Sequence, residues 1–452
     1  MSLRYKGARI SATPPTTSAS SAPGLWTLPQ QFQAQLLGSW PSYPPYLIGT
    51  LTSASQIYGK SAVADSSGNI YIAGGDYSLY LNVQKLNPFG VIQWQKQLQY
   101  YGNGYDIAID SASNVYIANT NGSPSGIGVV KYNSSGTLQW QKLLQTTYST
   151  PYAYGIAVDG SDNVYVVGSS TMDAGGRRDI ELAKYNSSGG LQWQRTLFNS
   201  NTSDGYSIKV SSAGNVYIAA TGVPSSTYDM LVAKYNTSGT IQWQRYIDAS
   251  STTEFGRSIA IDSSENVYVI GEGYSPAYCF IVAKLDTSGT LQWSRTLTTG
   301  TTKTANGAAV DSSGNIYITG IDYSSPFLWI TAKYNTSGVI QWQRSFTNLR
   351  NSSSTYNRLK VDSKNALLLV ADATISGTDN QVLLRFPSDG SKTGSYTVGA
   401  FSTTYAASSL TDASGSFTAS PSAFTAASSS LTDTSSTMTE VTTSFTATTT
   451  LI

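Results

Sequence analysis

Short runs of alternating apolar and polar residues, separated by clusters of Ser, Thr, Asn, Asp and Gly, cover most of the chain. Runs such as NVYVVG and LQWQRTL have the period of two expected of β-strands that turn one face to a core. The clusters between them, such as DSSGN and NSSG, are turn sequences in which Gly adopts a positive φ and an Asx side chain binds the local backbone. The pattern predicts an all-β protein.

Two phrases repeat along the chain. AVDSSGNIYITG at Ala309 is one of seven copies of a strand–turn–strand phrase, and KYNSSGTLQWQK at Lys131 is the cleanest copy of a phrase that follows it. The Asp position of the first phrase recurs every 45 to 52 residues and is held by Asp65, Asp110, Asp159, Ser211, Asp262, Asp311 and Asp362. The Trp of the second phrase recurs at Trp94, Trp140, Trp193, Trp243, Trp293 and Trp342.

Each unit parses as four short antiparallel strands, which we label A to D. Four strands repeated every ~45–50 residues are typical of a propeller blade, so seven copies predict a seven-bladed β-propeller; a solenoid of stacked hairpins is the alternative. The seventh unit has no LQWQR phrase after Arg385. Residues 45–51 stand in the register of a D strand before Asp65, and we expect them to complete the last blade and close the ring.

The recurring D-x-x-G-N-x-Y-x-x-G phrase resembles the SBBP-type β-propeller repeat of bacterial and phage proteins, over residues 46 to about 400. The resemblance implies the fold and leaves the function open, because such propellers serve binding, scaffolding and some enzymes. Near the N-terminus, Gly24-Leu-Trp26 and Gly38-Ser-Trp40-Pro41 resemble a short element at the start of many tailed-phage virion proteins.

Composition excludes several classes of function. The chain has 27 basic and 26 acidic residues and a net charge of +1, which argues against a nucleic-acid partner. It has no His, so imidazole-dependent triads and His-bound zinc are excluded, and its single cysteine, Cys279, cannot form an internal disulfide. The sequence contains no run of ~18 apolar residues, so we expect no membrane span. The first residues lack the apolar core of a secretory signal. We expect no cofactor, no metal and no catalytic residue; the DSSGN turns lack the converging carboxylates of a calcium loop.

One edge of the predicted ring varies between copies. The A–B and C–D turns are nearly uniform, whereas the B–C connections differ in length and chemistry. Because binding concentrates on variable loops carried by a rigid scaffold, we expect the ligand at the edge formed by the B–C and D–A connections, termed the variable rim. Tyr rings beside carboxylates suit sugars, and an Arg pair suits a carboxylate or phosphate; ordinary loop packing and solvated charge are the alternatives. The candidate ligand residues are Asp76, Tyr77, Arg177, Arg178, Tyr228, Asp229, Tyr274, Asp322 and Tyr323.

The two ends of the chain differ from the ring, which gives three predicted regions: an N-terminal anchor arm (1–45), the propeller (46–400) and a C-terminal arm (401–452). The C-terminal arm is rich in Ser and Thr and places a large apolar residue at every seventh position. Only one strong apolar position per heptad argues against a coiled coil and favours an extended, β-rich segment that anchors the chain to a neighbour, with a disordered tail as the alternative. The candidate assembly anchors are Trp26, Phe32, Leu36, Trp40, Leu410, Phe417, Phe424, Leu431, Met438 and Phe445.

These features favour a structural protein of a tailed-phage virion, a tail fibre or appendage rather than a capsid decoration. Its arms would dock onto other virion proteins and copies of itself, and its variable rim would contact a host-surface carbohydrate or a neighbouring subunit. The alternatives are a bacterial surface adhesin and a propeller lyase or glycosidase, which would need a pair of rim carboxylates.

Overall fold

The residues that the structure describes fall within Tyr46–Ile452. The predicted ligand residue Tyr77 and all predicted anchors except Leu410 lie outside the described residues. The computed structural model describes residues 47–52, 57–76, 80–98, 104–122, 125–145, 151–171, 173, 175–199, 201–224, 227–248, 253–274, 277–298, 301–324, 327–349, 359–398, 400–408, 410–414, 418–421, 425–428, 432–435, 440–441 and 446–451.

The described residues form strands and turns, and they contain no helix long and apolar enough to cross a membrane. The first strands are β1 (Leu47–Thr52), β2 (Ile57–Ala64), β3 (Ile70–Asp76), β4 (Leu81–Leu86), β5 (Ile92–Leu98), β6 (Gly104–Ile109), β7 (Val115–Gly122), β8 (Ser125–Tyr132), β9 (Leu138–Gln145), β10 (Tyr152–Val158), β11 (Val164–Thr171), β12 (Arg178–Tyr185) and β13 (Leu191–Phe198). Next come β14 (Asp204–Val210), β15 (Val216–Gly222), β16 (Asp229–Tyr235), β17 (Ile241–Asp248), β18 (Glu254–Ile261), β19 (Val267–Tyr274), β20 (Tyr278–Leu285), β21 (Leu291–Thr298), β22 (Lys303–Val310), β23 (Ile316–Asp322), β24 (Leu328–Tyr334) and β25 (Ile340–Phe346). The last are β26 (Lys360–Val361), β27 (Ala366–Ile375), β28 (Thr378–Pro387), β29 (Gly394–Val398), β30 (Phe401–Ala407), β31 (Thr411–Ser414), β32 (Thr418–Pro421), β33 (Thr425–Ser428), β34 (Thr432–Ser435), β35 (Glu440–Val441) and β36 (Thr446–Leu451).

The strands form seven sheets, which confirms the seven-bladed propeller. Blades 1 to 6 are β2–β5, β6–β9, β10–β13, β14–β17, β18–β21 and β22–β25, and blade 7 contains β26–β28. Apolar side chains of neighbouring blades pack face to face; for example, Leu182 of blade 3 and Ile208 of blade 4 belong to one buried cluster. Sheets that bury both faces in this way build a large core from strands.

The N-terminal strand closes the ring as predicted. Strand β1 pairs antiparallel with β28, from Leu47 opposite Arg385 to Leu51 opposite Gln381, and supplies the outer strand that the seventh repeat lacks. Leu51 is buried with Ile57 of blade 1 and Leu383 of blade 7, so the borrowed strand also seals the junction between the first and last blades.

The C-terminal arm forms a belt around the ring. Strands β30 to β36 pair in turn with the outer strands of blades 6, 5, 4, 3, 2, 1 and 7, and each pairing is antiparallel. The belt begins beside an aromatic cluster in which the Tyr405 ring lies 4.5 Å from the Phe346 ring and 5.5 Å from the Phe386 ring. The extended, β-rich conformation predicted for this arm is therefore present, and the surface it pairs with is the chain's own ring.

The seven-residue period of the arm matches the spacing of the blades. Ala407, Ser414, Pro421, Ser428 and Ser435 lie opposite the basic residue that follows the Trp of blades 6, 5, 4, 3 and 2, so a step of seven residues carries the belt from one blade to the next. Seven extended residues span at most ~25 Å, enough to cross between neighbouring blades. Leu410, the described member of the predicted anchor series, is 5% exposed and packs within the ring, in a cluster with Phe280.

The repeated Asp holds the A–B turn. In blade 2, Asp110 Oδ1 accepts a hydrogen bond from the backbone N–H of Asn114 (2.8 Å), and Oδ2 accepts from Asn114 Nδ2 (2.7 Å) and from the Tyr116 hydroxyl (2.8 Å). One carboxylate thus satisfies the turn, the following Asn and a buried Tyr, which explains why the phrase contains Asp, Asn and Tyr at this spacing. The prediction that these residues are turn residues is confirmed.

The repeated Trp and Arg join neighbouring blades. Trp193 Nε1 donates to the carbonyl of Thr237 in the next blade (3.0 Å), and Arg195 Nε donates to the carbonyl of Gly239 in the same turn (2.8 Å). The belt strand pairs with the outer edge on which Arg195 lies, and the Arg195 guanidinium also donates to the carbonyl of Ser238 in the next turn.

Candidate ligand-binding rim

Exposed aromatic side chains concentrate on the variable rim. In the described part of the chain, the large apolar residues with substantial exposure are Val91 and Val339, which lie in C–D turns, and five aromatic residues of the B–C connections. Those five belong to blades 4, 5 and 6, so they form an arc along one side of the rim. They are Tyr228, Tyr274, Tyr278, Tyr323 and Phe327.

The aromatic residues stand in pairs that fix their orientation. Tyr274 and Tyr278 lie edge to face across the connection between β19 and β20, 5.3 Å apart, with 47% and 48% of their surface exposed. Tyr323 and Phe327 form the equivalent pair in blade 6, at 5.5 Å. Such pairs hold a ring face toward solvent at little further entropic cost, which suits them to stack on a flat apolar ligand face.

The predicted carboxylates lie apart from these rings. Asp76 and Asp322 are 1% exposed, and they hold the ends of their strands: Asp76 accepts from Gln97 Nε2 (2.8 Å), and Asp322 accepts from Lys303 Nζ (2.9 Å). Burial acts to raise the pKa of Asp322, but hydrogen bonds from Thr301 and Lys303 lower it below its usual value. In the Asp322–Tyr323 pair the carboxylate is therefore buried and engaged, and the Tyr ring is the exposed member.

The Arg pair is engaged within the protein. Arg178 binds Asp204 in a bidentate ion pair (2.7 and 2.6 Å), which raises the pKa of the guanidinium. Arg177 lies 3.2 Å from a carboxylate oxygen of Asp173 and 3.4 Å from one of Asp179. Arg177 and Arg178 therefore form ion pairs with carboxylates of the chain itself, which neutralise their positive charge.

Two features of the rim were not predicted. An open cavity of about 380 Å³ lies where the arc meets the belt, lined by Phe327, Asn348, Thr374 and Phe401 among others. It was missed because the hairpin of β29 and β30, which supplies one wall, carries no repeat signal. The second feature is a group of three carboxylates between blades 4 and 5, formed by Asp229, Asp248 and Glu254.

The fold and the rim define a β-propeller repeat protein. Residues 127–353 match the PQQ_2 family, described as outer membrane protein assembly factor BamB, and because this match spans half of the sequence the chain belongs to that family. The predicted propeller-repeat resemblance is thus supported as a repeat fold. The resemblance of residues 24–41 to phage virion proteins lies outside the described residues and stays a prediction.

Solved structures similar to this chain are remote. A protein of unknown function from Dyadobacter fermentans is 10% identical with a TM-score of 0.44, covering 74% of this chain and 99% of that one. An ulvan lyase is 9% identical with a TM-score of 0.45, covering 74% and 95%. Drosophila Plexin A, solved with Semaphorin 1b, is 10% identical with a TM-score of 0.44, covering 76% and 87%. No curated protein matches the sequence.

Proposed function

We propose that the chain is a non-catalytic structural protein that binds carbohydrate through the aromatic arc of its variable rim, as an attachment component of a tailed-phage virion. The observation that carries the binding function is the arc itself: paired, exposed aromatic rings on blades 4, 5 and 6. Sugar rings present C–H faces that stack on aromatic rings and hydroxyls that need polar partners.

Other surfaces are less suited to a ligand. The Trp, Arg and Asp residues of the repeat are occupied by contacts within and between blades. The outer edges of the blades, which would otherwise offer unpaired backbone groups to a partner, are covered by the belt. The variable rim combines sequence diversity with exposed aromatic area, and this combination favours it as the contact surface.

The virion setting is supported by the resemblance of residues 24–41 and is the finer part of the proposal. The family match supports a second setting, because the family is described as an outer membrane protein assembly factor. In that setting the same rim would bind a bacterial envelope protein instead of a glycan. The two settings differ in where the chain is found and in the class of its ligand.

Binding to purified host-surface polysaccharides, measured by biolayer interferometry, tests the rim. We expect the variant Tyr274→Ala/Tyr278→Ala to bind at least tenfold more weakly than the natural chain, with an unchanged melting temperature. Val91→Ala/Val339→Ala removes exposed apolar area from the opposite rim and is the matched control, expected to bind normally. Absence of glycan binding by the natural chain, or equal losses in both variants, would contradict the proposal.

Mass spectrometry of purified phage particles tests the setting separately. We expect peptides of this chain in particles freed of host debris. If the chain is absent from particles and the rim variants still show the expected loss of glycan binding, the virion setting fails and the binding function stands.

A further inference from the structure

Three carboxylates converge where blade 4 meets blade 5 on the variable rim. Asp229 begins β16, Asp248 ends β17 beside it, and Glu254 begins β18 of the next blade. One oxygen atom of each lies within 4.8 Å of the others. Asp229 is 4% exposed and Glu254 is fully buried, whereas Asp248 is half-buried and leaves one side of the group open to solvent.

The group carries a negative charge that its surroundings do not balance at Asp229. Asp229 Oδ1 has no hydrogen-bond partner although it is buried. A buried carboxylate oxygen without a donor or counter-charge is destabilising, so an occupant that supplies positive charge is favoured.

The preceding blade shows what balances this position elsewhere. Asp179 holds the place of Asp229 in strand β12, and its Oδ1 likewise has no hydrogen-bond partner, but there Arg177 Nη2 supplies a counter-charge 3.4 Å from Oδ2. In blade 3, Phe198 stands at the position of Asp248. Ser203 stands at the position of Glu254, because the Ser203 N–H donates to the carbonyl of Arg178 and the Glu254 N–H donates to the carbonyl of the equivalent residue, Tyr228. Blade 3 therefore pairs one acid with one Arg, and blade 4 assembles three acids.

We propose that Asp229, Asp248 and Glu254 bind a calcium ion. An all-carboxylate set is the chemistry that hard divalent cations prefer, and Ca²⁺ accepts irregular oxygen geometry completed by water, which reaches this group from the side of Asp248. Because the ligands come from two blades, the ion would tie blade 4 to blade 5 beside the Tyr228–Phe255 ring pair. This site is independent of the carbohydrate proposal.

Calcium titration of the chelator-treated full chain tests the site, by isothermal titration calorimetry and by melting temperature. We expect one bound Ca²⁺ and a higher melting temperature in its presence. Asp229→Asn and Glu254→Gln should each weaken binding at least tenfold. Asp179→Asn, at the equivalent position of the Arg-balanced blade, is the control and should retain the natural response.

The metal-free state gives a second readout with the opposite sign. Asp229→Asn removes one of three repelling charges, so without calcium this variant should melt at or above the temperature of the natural chain, and with calcium it should melt below it. No calcium response in the natural chain would overturn the proposal. The proposal would also be overturned if Asp229→Asn and Glu254→Gln kept the natural calcium response. A rise in melting temperature with Mg²⁺ or Mn²⁺ but not with Ca²⁺ would overturn it as well.

Discussion

The carboxylate of Glu265 in blade 5 accepts a hydrogen bond from the hydroxyl of Tyr217 in blade 4, with 2.6 Å between Oε2 and the hydroxyl oxygen. In blade 2 the equivalent hydroxyl, of Tyr116, donates to its own blade's Asp110. Blade 4 has Ser211 at that Asp position, and Glu265 also accepts from Asn215 Nδ2 and from Lys234 Nζ. Glu265 of blade 5 thus supplies the carboxylate that the A–B turn of blade 4 lacks.

Replacing this carboxylate should loosen the junction between blades 4 and 5. Glu265→Gln keeps the size of the side chain but removes the charge that accepts the Tyr217, Asn215 and Lys234 hydrogen bonds. A hydrogen bond to a charged group contributes ~1.5–3 kcal/mol, so we expect a loss of about 2 kcal/mol in the free energy of unfolding. Chemical denaturation measures it, and an unchanged midpoint would show that the bridge is not stabilising.

Restoring the missing Asp should rescue that variant. Ser211→Asp recreates the turn carboxylate seen in the other blades, so in the Glu265→Gln background it should recover much of the lost stability. In the natural background the same substitution places a second carboxylate beside Glu265 and should not stabilise the fold. The two backgrounds form a double-mutant cycle. If Ser211→Asp changes the free energy of unfolding equally in both, Glu265 does not replace the missing turn carboxylate of blade 4.

The bridge should also give stability a specific pH dependence. Burial acts to raise the pKa of Glu265, but hydrogen bonds from Ser211, Tyr217, Asn215 and Lys234 lower it to about 2, below the usual value of 4.5. A carboxyl whose pKa is lower in the folded state stabilises the fold above its unfolded pKa and loses that contribution as the pH falls through its folded pKa. The stability difference between the natural chain and Glu265→Gln should therefore be constant above pH ~5 and shrink toward pH ~2; a constant difference throughout would contradict this assignment.

The C–D turn glycines should tolerate no side chain. Gly239 has a φ of +73°, and an added Cβ would lie 2.8 Å from Trp193 Cδ2 of the neighbouring blade. Gly176 has a φ of +83° and open space around it, so it isolates the backbone cost. We expect Gly176→Ala to cost ~1–2 kcal/mol and Gly239→Ala to cost ~1–3 kcal/mol more, since it adds steric overlap. Equal losses in thermal denaturation would exclude a packing role for Gly239.

Removing the belt should uncover outer strand edges without unfolding the ring. A chain ended after Ser408 loses β31 to β36 and exposes the outer strands of every blade except blade 6. Unpaired edges are templates for pairing between chains, so we expect a lower melting temperature and concentration-dependent oligomers. Light scattering checks this, and a fully monomeric truncated chain at high concentration would show that the belt does not protect the edges.

The ring could be predicted from the sequence because most blades repeat the residues that hold the A–B turn, such as Asp110, Asn114 and Tyr116 in blade 2. The belt was only partly predicted: its period of seven was visible, but the partner surface depends on where the outer strands lie. The three-carboxylate group was missed because Asp248 and Glu254 come from different blades, and only the ring topology brings Glu254 beside Asp229. The burial of Asp322 beside the exposed Tyr323 was not visible in the sequence, because it depends on how the end of β23 packs.

Disulfide trapping of the belt tests most directly the claim that the chain wraps its own ring in one register. Thr298 of blade 5 lies opposite Thr411, whereas Thr418, one period further, lies opposite Asp248 of blade 4. In a Cys279→Ser background, Thr298→Cys/Thr411→Cys should oxidise within single chains at low concentration, because paired antiparallel positions have the spacing a disulfide needs. Thr298→Cys/Thr418→Cys should remain reduced. Covalent dimers of the first variant, or a cross-link within the second, would contradict a belt that each chain closes on itself.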